Sequence, residues 1–238
     1  MTILEKTRRK KLNYKKIIIA LAIILFGVLI FFGYRFLKVK NIYVVGNQLF
    51  SEYDILKETN LLSYPPLYQV NETEIRNTLK NNKLINNVKV NKTLSGKVTI
   101  EISENKILYQ DKNSKYMLSN KEEIELSETP LGVPTLINDC SKVKDKFIEK
   151  LMLIDDDILK HISEIEYKPT ELDKERFMFY MNDTNYVYVT LGKINLINSY
   201  NEIYPTLEGK KGILYLDSGN HFEIKNKNEK TEETEKTE

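Results

Sequence analysis

Cysteine is nearly absent from this chain of 238 residues: Cys140 stands alone, so no intramolecular disulfide can form. An oxidising compartment would add no covalent staple, and the folded part must stand on its hydrophobic core. Histidine is as scarce. His161 and His221 are the only two, with no cysteine cluster to complete a zinc site, so neither metal nor cofactor is expected. Charge of one sign is also lacking, the net being +2. That near-neutrality hides a division, because residues 1–16 carry +6 and leave −4 for residues 17–238. Past residue 16 no basic stripe or recognised motif invites nucleic acid, and no small-molecule substrate is expected.

What the chain does have is one long apolar run, residues 17–33 (IIIALAIILFGVLIFFG), preceded by Lys6, Arg8, Arg9, Lys10, Lys11, Lys15 and Lys16. With Tyr34, Phe36 and Leu37 it reaches the ~20 residues that a helix rising ~1.5 Å per residue needs to cross ~30 Å of hydrocarbon. Only Arg35, Lys38 and Lys40 follow closely, so the positive-inside rule keeps residues 1–16 in the cytoplasm and the rest outside. A cleaved signal peptide has a core of about 7–15 residues and a small-residue cleavage site, and neither fits here. A buried core helix would not need a basic block at one end. The basic tail needs no partner beyond anionic lipid headgroups. Residues 17–37 are therefore read as a single transmembrane helix.

Residues 38–106 form the next expected unit. Val39-Lys40-Asn41-Ile42-Tyr43-Val44-Val45 is a β-branched run stopped by Gly46-Asn47, a strand and its turn. Ser51 precedes Asp54 by three and Asn71 precedes Glu74 by three. Both resemble capping arrangements, in which a side-chain oxygen accepts from an unpaired backbone N–H. They open two short helices carrying Ile55 and Leu56, then Ile75 and Leu79. Between them Tyr64-Pro65-Pro66 forces a break, because proline lacks the N–H and restricts the residue before it. Strands at residues 85–93 and 98–103 close the unit, the second alternating so that Val98, Ile100 and Ile102 share a buried face. The order is β-α-α-β-β.

Residues 107–224 read as a mixed sheet with helices on one side. Ile107-Leu108-Tyr109 and Tyr116-Met117-Leu118 flank a polar turn and suggest a hairpin. An extended stretch follows at residues 131–136. Val143, Phe147, Leu151 and Ile154 at helical spacing predict an amphipathic helix over 141–154. Asp155-Asp156-Asp157 ends it as a solvated turn and cap for a short helix at Ile158-Leu159. A calcium loop would need alternate ligands, a glycine bend and a distal Glu. Strands are expected at 163–167, 176–181 and 186–191, a helix at 193–207, and a last strand at 213–217. Residues 225–238 have almost nothing to bury and are expected to be disordered. The sequons at Asn71, Asn91 and Asn182 are given no role, since such matches are frequent by chance in an Asn- and Thr-rich chain.

Two segments at the ends of the first unit, Ile42-Tyr43-Val44-Val45-Gly46-Asn47 and Thr99-Ile100-Glu101-Ile102-Ser103-Glu104, with two capped helices between, resemble a POTRA domain. Adding the anchor, Gly132-Val133-Pro134, Val189-Thr190-Leu191-Gly192 and Leu214-Tyr215-Leu216-Asp217-Ser218-Gly219, the chain resembles the bacterial FtsQ/DivIB cell-division family over nearly all of residues 1–224. The resemblance implies an α+β protein with no catalytic activity, a bitopic scaffold of the cell membrane located at the division septum. It also implies two partners, small single-span coiled-coil proteins of the FtsL and DivIC/FtsB types, and support of septal peptidoglycan synthesis. In that family the last strands of the β-domain carry the main partner surface, which implies Tyr215, Leu216, Asp217, Ser218 and Gly219 here. The pattern departs just afterwards. Asn220-His221-Phe222-Glu223-Ile224 continues as a strand with its own aromatic residue, and Phe222 joins the partner-binding set.

The physical case for that surface is separate from the family. A terminal strand with no following element offers unpaired N–H and C=O groups to another chain, and Tyr215 and Phe222 supply aromatic anchors. The competing reading makes the strand internal and both rings core. Two other classes compete with this one. Ser218-Gly219-Asn220-His221 spells the letters of a hydrolase superfamily, but there the four residues come from separated blocks, and neighbouring strand residues point to opposite faces. The other class is a POTRA-bearing secretion or envelope-assembly factor. Those usually end in a membrane barrel of many ~10-residue alternating strands, which this chain lacks the length to form.

Overall fold

The computed structural model describes residues 14–127 and 129–225. The expected cytoplasmic tail up to residue 13 and the expected disordered tail beyond residue 225 lie outside the described residues. The chain divides into two compact units, residues 1–104 and 105–238.

The first unit begins with α1 (Tyr14–Phe36), 23 residues with no buried member. Its length is about 34 Å at the helical rise, enough to cross the hydrocarbon of a bilayer. The core-helix reading is removed, because none of its apolar window is buried within the protein. After it come β1 (Asn41–Val45), α2 (Glu52–Glu58), α3 (Glu72–Lys80), β2 (Ile85–Lys92) and β3 (Lys97–Glu104). The sheet order is β1-β3-β2, with β1 parallel and β2 antiparallel to β3. Val98, Ile100 and Ile102 do lie on one buried face, against Ile55, Leu56, Ile75 and Leu79 of the two helices. Both caps form as the spacing predicts. The Ser51 hydroxyl oxygen accepts from the Asp54 amide at 3.1 Å, and Asn71 Oδ1 accepts from the amides of Thr73 and Glu74 at 3.1 and 3.3 Å. Gly46 ends β1 at φ +85°, where an added Cβ would stand 2.2 Å from the Ile102 carbonyl oxygen, so only glycine fits the turn.

The second unit holds a nine-stranded mixed sheet. Its elements are β4 (Ile107–Gln110), β5 (Tyr116–Leu118), β6 (Glu123–Ile124), β7 (Thr135–Leu136), α4 (Lys144–Leu151), α5 (Asp156–Leu159), β8 (Ile162–Tyr167), β9 (Arg176–Met181), β10 (Tyr186–Thr190), α6 (Tyr200–Ile203), β11 (Gly212–Tyr215) and β12 (His221–Ile224). The strand order is β12-β11-β10-β9-β8-β7-β4-β5-β6. Phe177 and Phe179 of β9, Val187 and Val189 of β10 and Leu214 of β11 share one buried cluster with Phe147, Ile148 and Leu151 of α4. At its centre Phe147 stacks on Phe177, ring centroids 4.3 Å apart, and tilts against Tyr109 at 5.6 Å.

Four expectations for this unit need correction. The helix over 141–154 is a 3₁₀ turn, Ser141–Val143, followed by α4. The stretch 131–136 keeps only β7 as strand, because Gly132 turns the chain at φ +72°. The helix over 193–207 is a 3₁₀ run, Leu191–Ser199, then α6, then a second 3₁₀ turn, Tyr204–Leu207. Its buried residues explain why: Leu191, Ile194, Ile197 and Tyr200 recur at every third position, the period of a three-residue turn. The triple aspartate gives no side-chain cap to α5. Asp156 instead pairs with Lys106, and Asp157 accepts from Asn201 at 2.8 Å.

Phe147→Ala should destabilise the second unit by about 3–5 kcal/mol, the usual cost of emptying a fully buried phenylalanine site. Urea unfolding of the detergent-solubilised full-length chain measures it.

Candidate partner-binding edge

The structure spreads the six expected site residues over three environments. Tyr215, at the end of β11, is half-buried on the sheet face opposite Leu214. Its ring stacks on Tyr188 at 5.4 Å and on His221 at 4.7 Å. Burial, then a hydrogen bond with Glu223, holds its phenol above the ordinary range. Leu216 is 3% exposed and belongs to the core, while its amide donates to the Tyr188 carbonyl at 2.8 Å. A charge placed there would test the core and not a contact. Phe222 of β12 sits opposite Leu214 and packs against the same core. Ser218 and Gly219 lie exposed in the turn, where Gly219 and Asn220 take φ of +92° and +50°. The two aromatic residues thus point to opposite faces and form no single side-chain surface.

Asp217 fixes that turn. Its Oδ2 accepts from Arg176 Nε at 2.6 Å, its Oδ1 from the Ser218 hydroxyl at 3.0 Å, and its carbonyl from Lys193 Nζ at 3.0 Å. The Arg176 guanidinium also lies 3.7 Å over the Tyr188 ring, so a cation joins the Tyr188, Tyr215 and His221 stack. At the other end of β11 the buried Asn185 accepts from the Gly212 amide at 2.9 Å through Oδ1, and its Nδ2 reaches Asp183 and Tyr200. A Cβ on Gly212 would stand 2.0 Å from the Glu223 carbonyl oxygen, so glycine is what lets β12 close against β11. Arg176, Asn185 and Gly212 had no local signal, since their partners lie 41, 27 and 11 residues away in the chain. Of the stack, Tyr215 alone was singled out by the sequence as a site residue.

β11 is internal, paired with β10 on one side and β12 on the other, which corrects the expectation that it is the terminal strand. The sheet edge on this side belongs to β12, β6 forming the other edge. The Lys225 amide donates to the Lys211 carbonyl at 2.9 Å, so alternation directs the backbone of Glu223 and His221 toward β11 as well. The N–H and C=O groups of Phe222 and Ile224 therefore face outward. They are the chemistry this site offers: a short row of donors and acceptors for an added strand. The hydrolase letters have other partners, with the Ser218 hydroxyl on Asp217 and the His221 ring flat against Tyr215.

A cavity of about 220 Å³ lies elsewhere in the unit, lined by Tyr109, Asp111, Lys112, Met117, Cys140 and Lys144 among others. Burial, reinforced by the Asp139 carboxylate, pushes the Cys140 thiol up to about 11. It is protonated at neutral pH and inert as a nucleophile.

One apolar helix followed by a POTRA unit and a sheet-rich unit makes this a POTRA-bearing protein with a single N-terminal anchor-like helix. Residues 37–105 match the family described as POTRA domain, FtsQ-type. The chain is 29% identical over 231 residues to the cell division protein DivIB of Listeria monocytogenes, covering 92% of this chain and 85% of that protein. It is 28% identical over 244 residues to DivIB of Bacillus subtilis, covering 98% and 92%. With the cell division protein FtsQ of Rickettsia felis it shares 26% over 235 residues, covering 90% and 82%. Over most of its length the chain is thus similar to cell division proteins of the FtsQ/DivIB type, and residues 37–105 carry the FtsQ-type POTRA domain. A solved structure, the major extracytoplasmic domain of the trans isomer of DivIB from Geobacillus stearothermophilus, covers 44% of this chain and 96% of that one at 23% identity, with a TM-score of 0.37, too low to bear on the fold.

Arg176→Ala should destabilise the second unit by about 3 kcal/mol, because Asp217, with its side chain 9% exposed, would keep an unpaired charge. Urea unfolding reads the loss, and faster hydrogen exchange at Leu216 and Asp217 locates it. Cys140 should resist iodoacetamide at pH 8 in the native chain and react promptly in urea. Its thiol is raised in the folded state, so the stability it contributes is complete below about pH 9 and is lost as pH rises through about 11. Unfolding midpoints across that window check the sign.

Proposed function

We propose that this chain is a non-enzymatic scaffold of the division machinery. On this reading α1 crosses the cytoplasmic membrane with residues 1–16 inside, and residues 38–106 and 107–224 work outside as a POTRA domain and a β-domain. The open edge of β12 carries the proposal: Phe222 and Ile224 present outward backbone groups beside a turn held by Arg176 and Asp217. The partners are single-span coiled-coil proteins of the FtsL and DivIC/FtsB types, one of which adds a strand to β12. By holding them at the septum, the chain supports septal peptidoglycan synthesis. Similarity to DivIB proteins over most of the chain supports the division role, and the basic tail supports the orientation.

Ile224→Pro tests the edge without touching the β11 ladder, because it removes an outward N–H. Co-purification of the full-length chain with FtsL-like and DivIC-like partners should fall about tenfold, the scale of one lost hydrogen bond and its fit. Undiminished recovery would contradict strand addition at β12. Depletion in cells should give filaments with few septa.

A further inference from the structure

The end of the first unit where α1 arrives exposes apolar side chains that the binding role leaves unused. β1 and β3 run parallel and begin at this end, and β2 finishes there, so the connections over 59–71 and 93–96 gather beside the last residues of α1. Hydrogen bonds lock both in place. The Leu67 amide donates to the Leu37 carbonyl at 2.8 Å, the Val39 amide to Pro65 at 3.1 Å, and the Lys40 amide to Gly96 at 2.8 Å. Gly96, at φ +88°, lets its turn approach so closely that a Cβ would stand 2.5 Å from the Lys38 carbonyl oxygen.

On these locked connections Tyr64 is 45% exposed, Tyr68 39% and Leu94 72%. Tyr64 takes φ of +50°, an uncommon conformation for a bulky residue, and Pro65 follows it. Arg35, Lys38, Lys40 and Lys97, at the end of α1 and the starts of β1 and β3, are exposed, and the Arg35 guanidinium lies 4.9 Å over the Tyr68 ring. Aromatic and aliphatic tips at the same end of the unit as exposed cations, beside the end of an apolar helix long enough to span, are the composition of a membrane–water boundary.

We propose that Tyr64, Tyr68 and Leu94 sit in the headgroup–acyl boundary of the membrane that α1 crosses. The first unit thereby gains a second lipid contact that fixes its tilt. The inference rests on the spanning reading of α1.

The chain has no tryptophan, so single Trp substitutions report their surroundings directly. Full-length Tyr64→Trp, Tyr68→Trp and Leu94→Trp would be placed in phosphatidylcholine–phosphatidylglycerol vesicles carrying lipids brominated near the headgroup. Leu49→Trp serves as reference at the far end of the unit, a five-residue strand or about 15 Å away. Ile24→Trp, in α1, is read with lipids brominated deep in the acyl chain. The expected result is quenching at least about twofold stronger at all three positions than at Leu49→Trp, together with deep quenching of Ile24→Trp. If Ile24→Trp is quenched and the three match Leu49→Trp, the boundary contact is wrong and the span stands. If Ile24→Trp is not quenched, the span itself fails and the contact with it.

Discussion

A sheet that does not close on itself must end in a strand with one row of backbone groups outside the ladder. In the second unit, among the described residues, the sheet ends in the two-residue β6 on one side and the four-residue β12 on the other, and β12 is the longer edge. Everything distinctive nearby keeps that edge in place. Gly212 has no side chain because the Glu223 carbonyl needs the room, and Asn185 holds the Gly212 amide. Arg176 clamps Asp217 and covers Tyr188, while Phe222 plugs β12 into the core. The edge is therefore rigid and presented, which lowers the ordering cost an added strand would have to meet.

The first unit solves a different problem. Its chain leaves α1 and within a few residues is bound on both sides, by the proline loop at Leu37 and Val39 and by the β2–β3 turn at Lys40. A helix end left without partners would fray. Here the Leu37 carbonyl accepts from the Leu67 amide, so the helix passes into the POTRA fold without a slack linker. In each unit a close backbone approach through glycine does the joining: Gly96 in the first and Gly212 in the second.

Local chemistry made much of this legible. The caps at Ser51 and Asn71, the alternation of Val98, Ile100 and Ile102, and the hairpin turn before Tyr116 depend on residues within a few positions of each other. Leu191, Ile194 and Ile197 also carried their period in plain view, but spacing by three is shared by α and 3₁₀ helices, and length favoured the wrong one. The site was less legible. The motif Leu214-Tyr215-Leu216-Asp217-Ser218-Gly219 lies next to the proposed binding edge, yet alternation sends Leu216 inward, and the outward groups belong to Phe222 and Ile224. Arg176 and Asn185 act across 41 and 27 residues, a distance over which no pattern along the chain could pair them.

The central claim is that the partner binds by extending the sheet at β12. Residue-resolved amide hydrogen exchange on the full-length chain, with and without a DivIC-like partner, tests it most directly. The account predicts new protection at the Phe222 and Ile224 amides, with His221 and Glu223 unchanged because their amides already serve β11. Saturated binding with Phe222 and Ile224 exchanging as fast as in the free chain would contradict it.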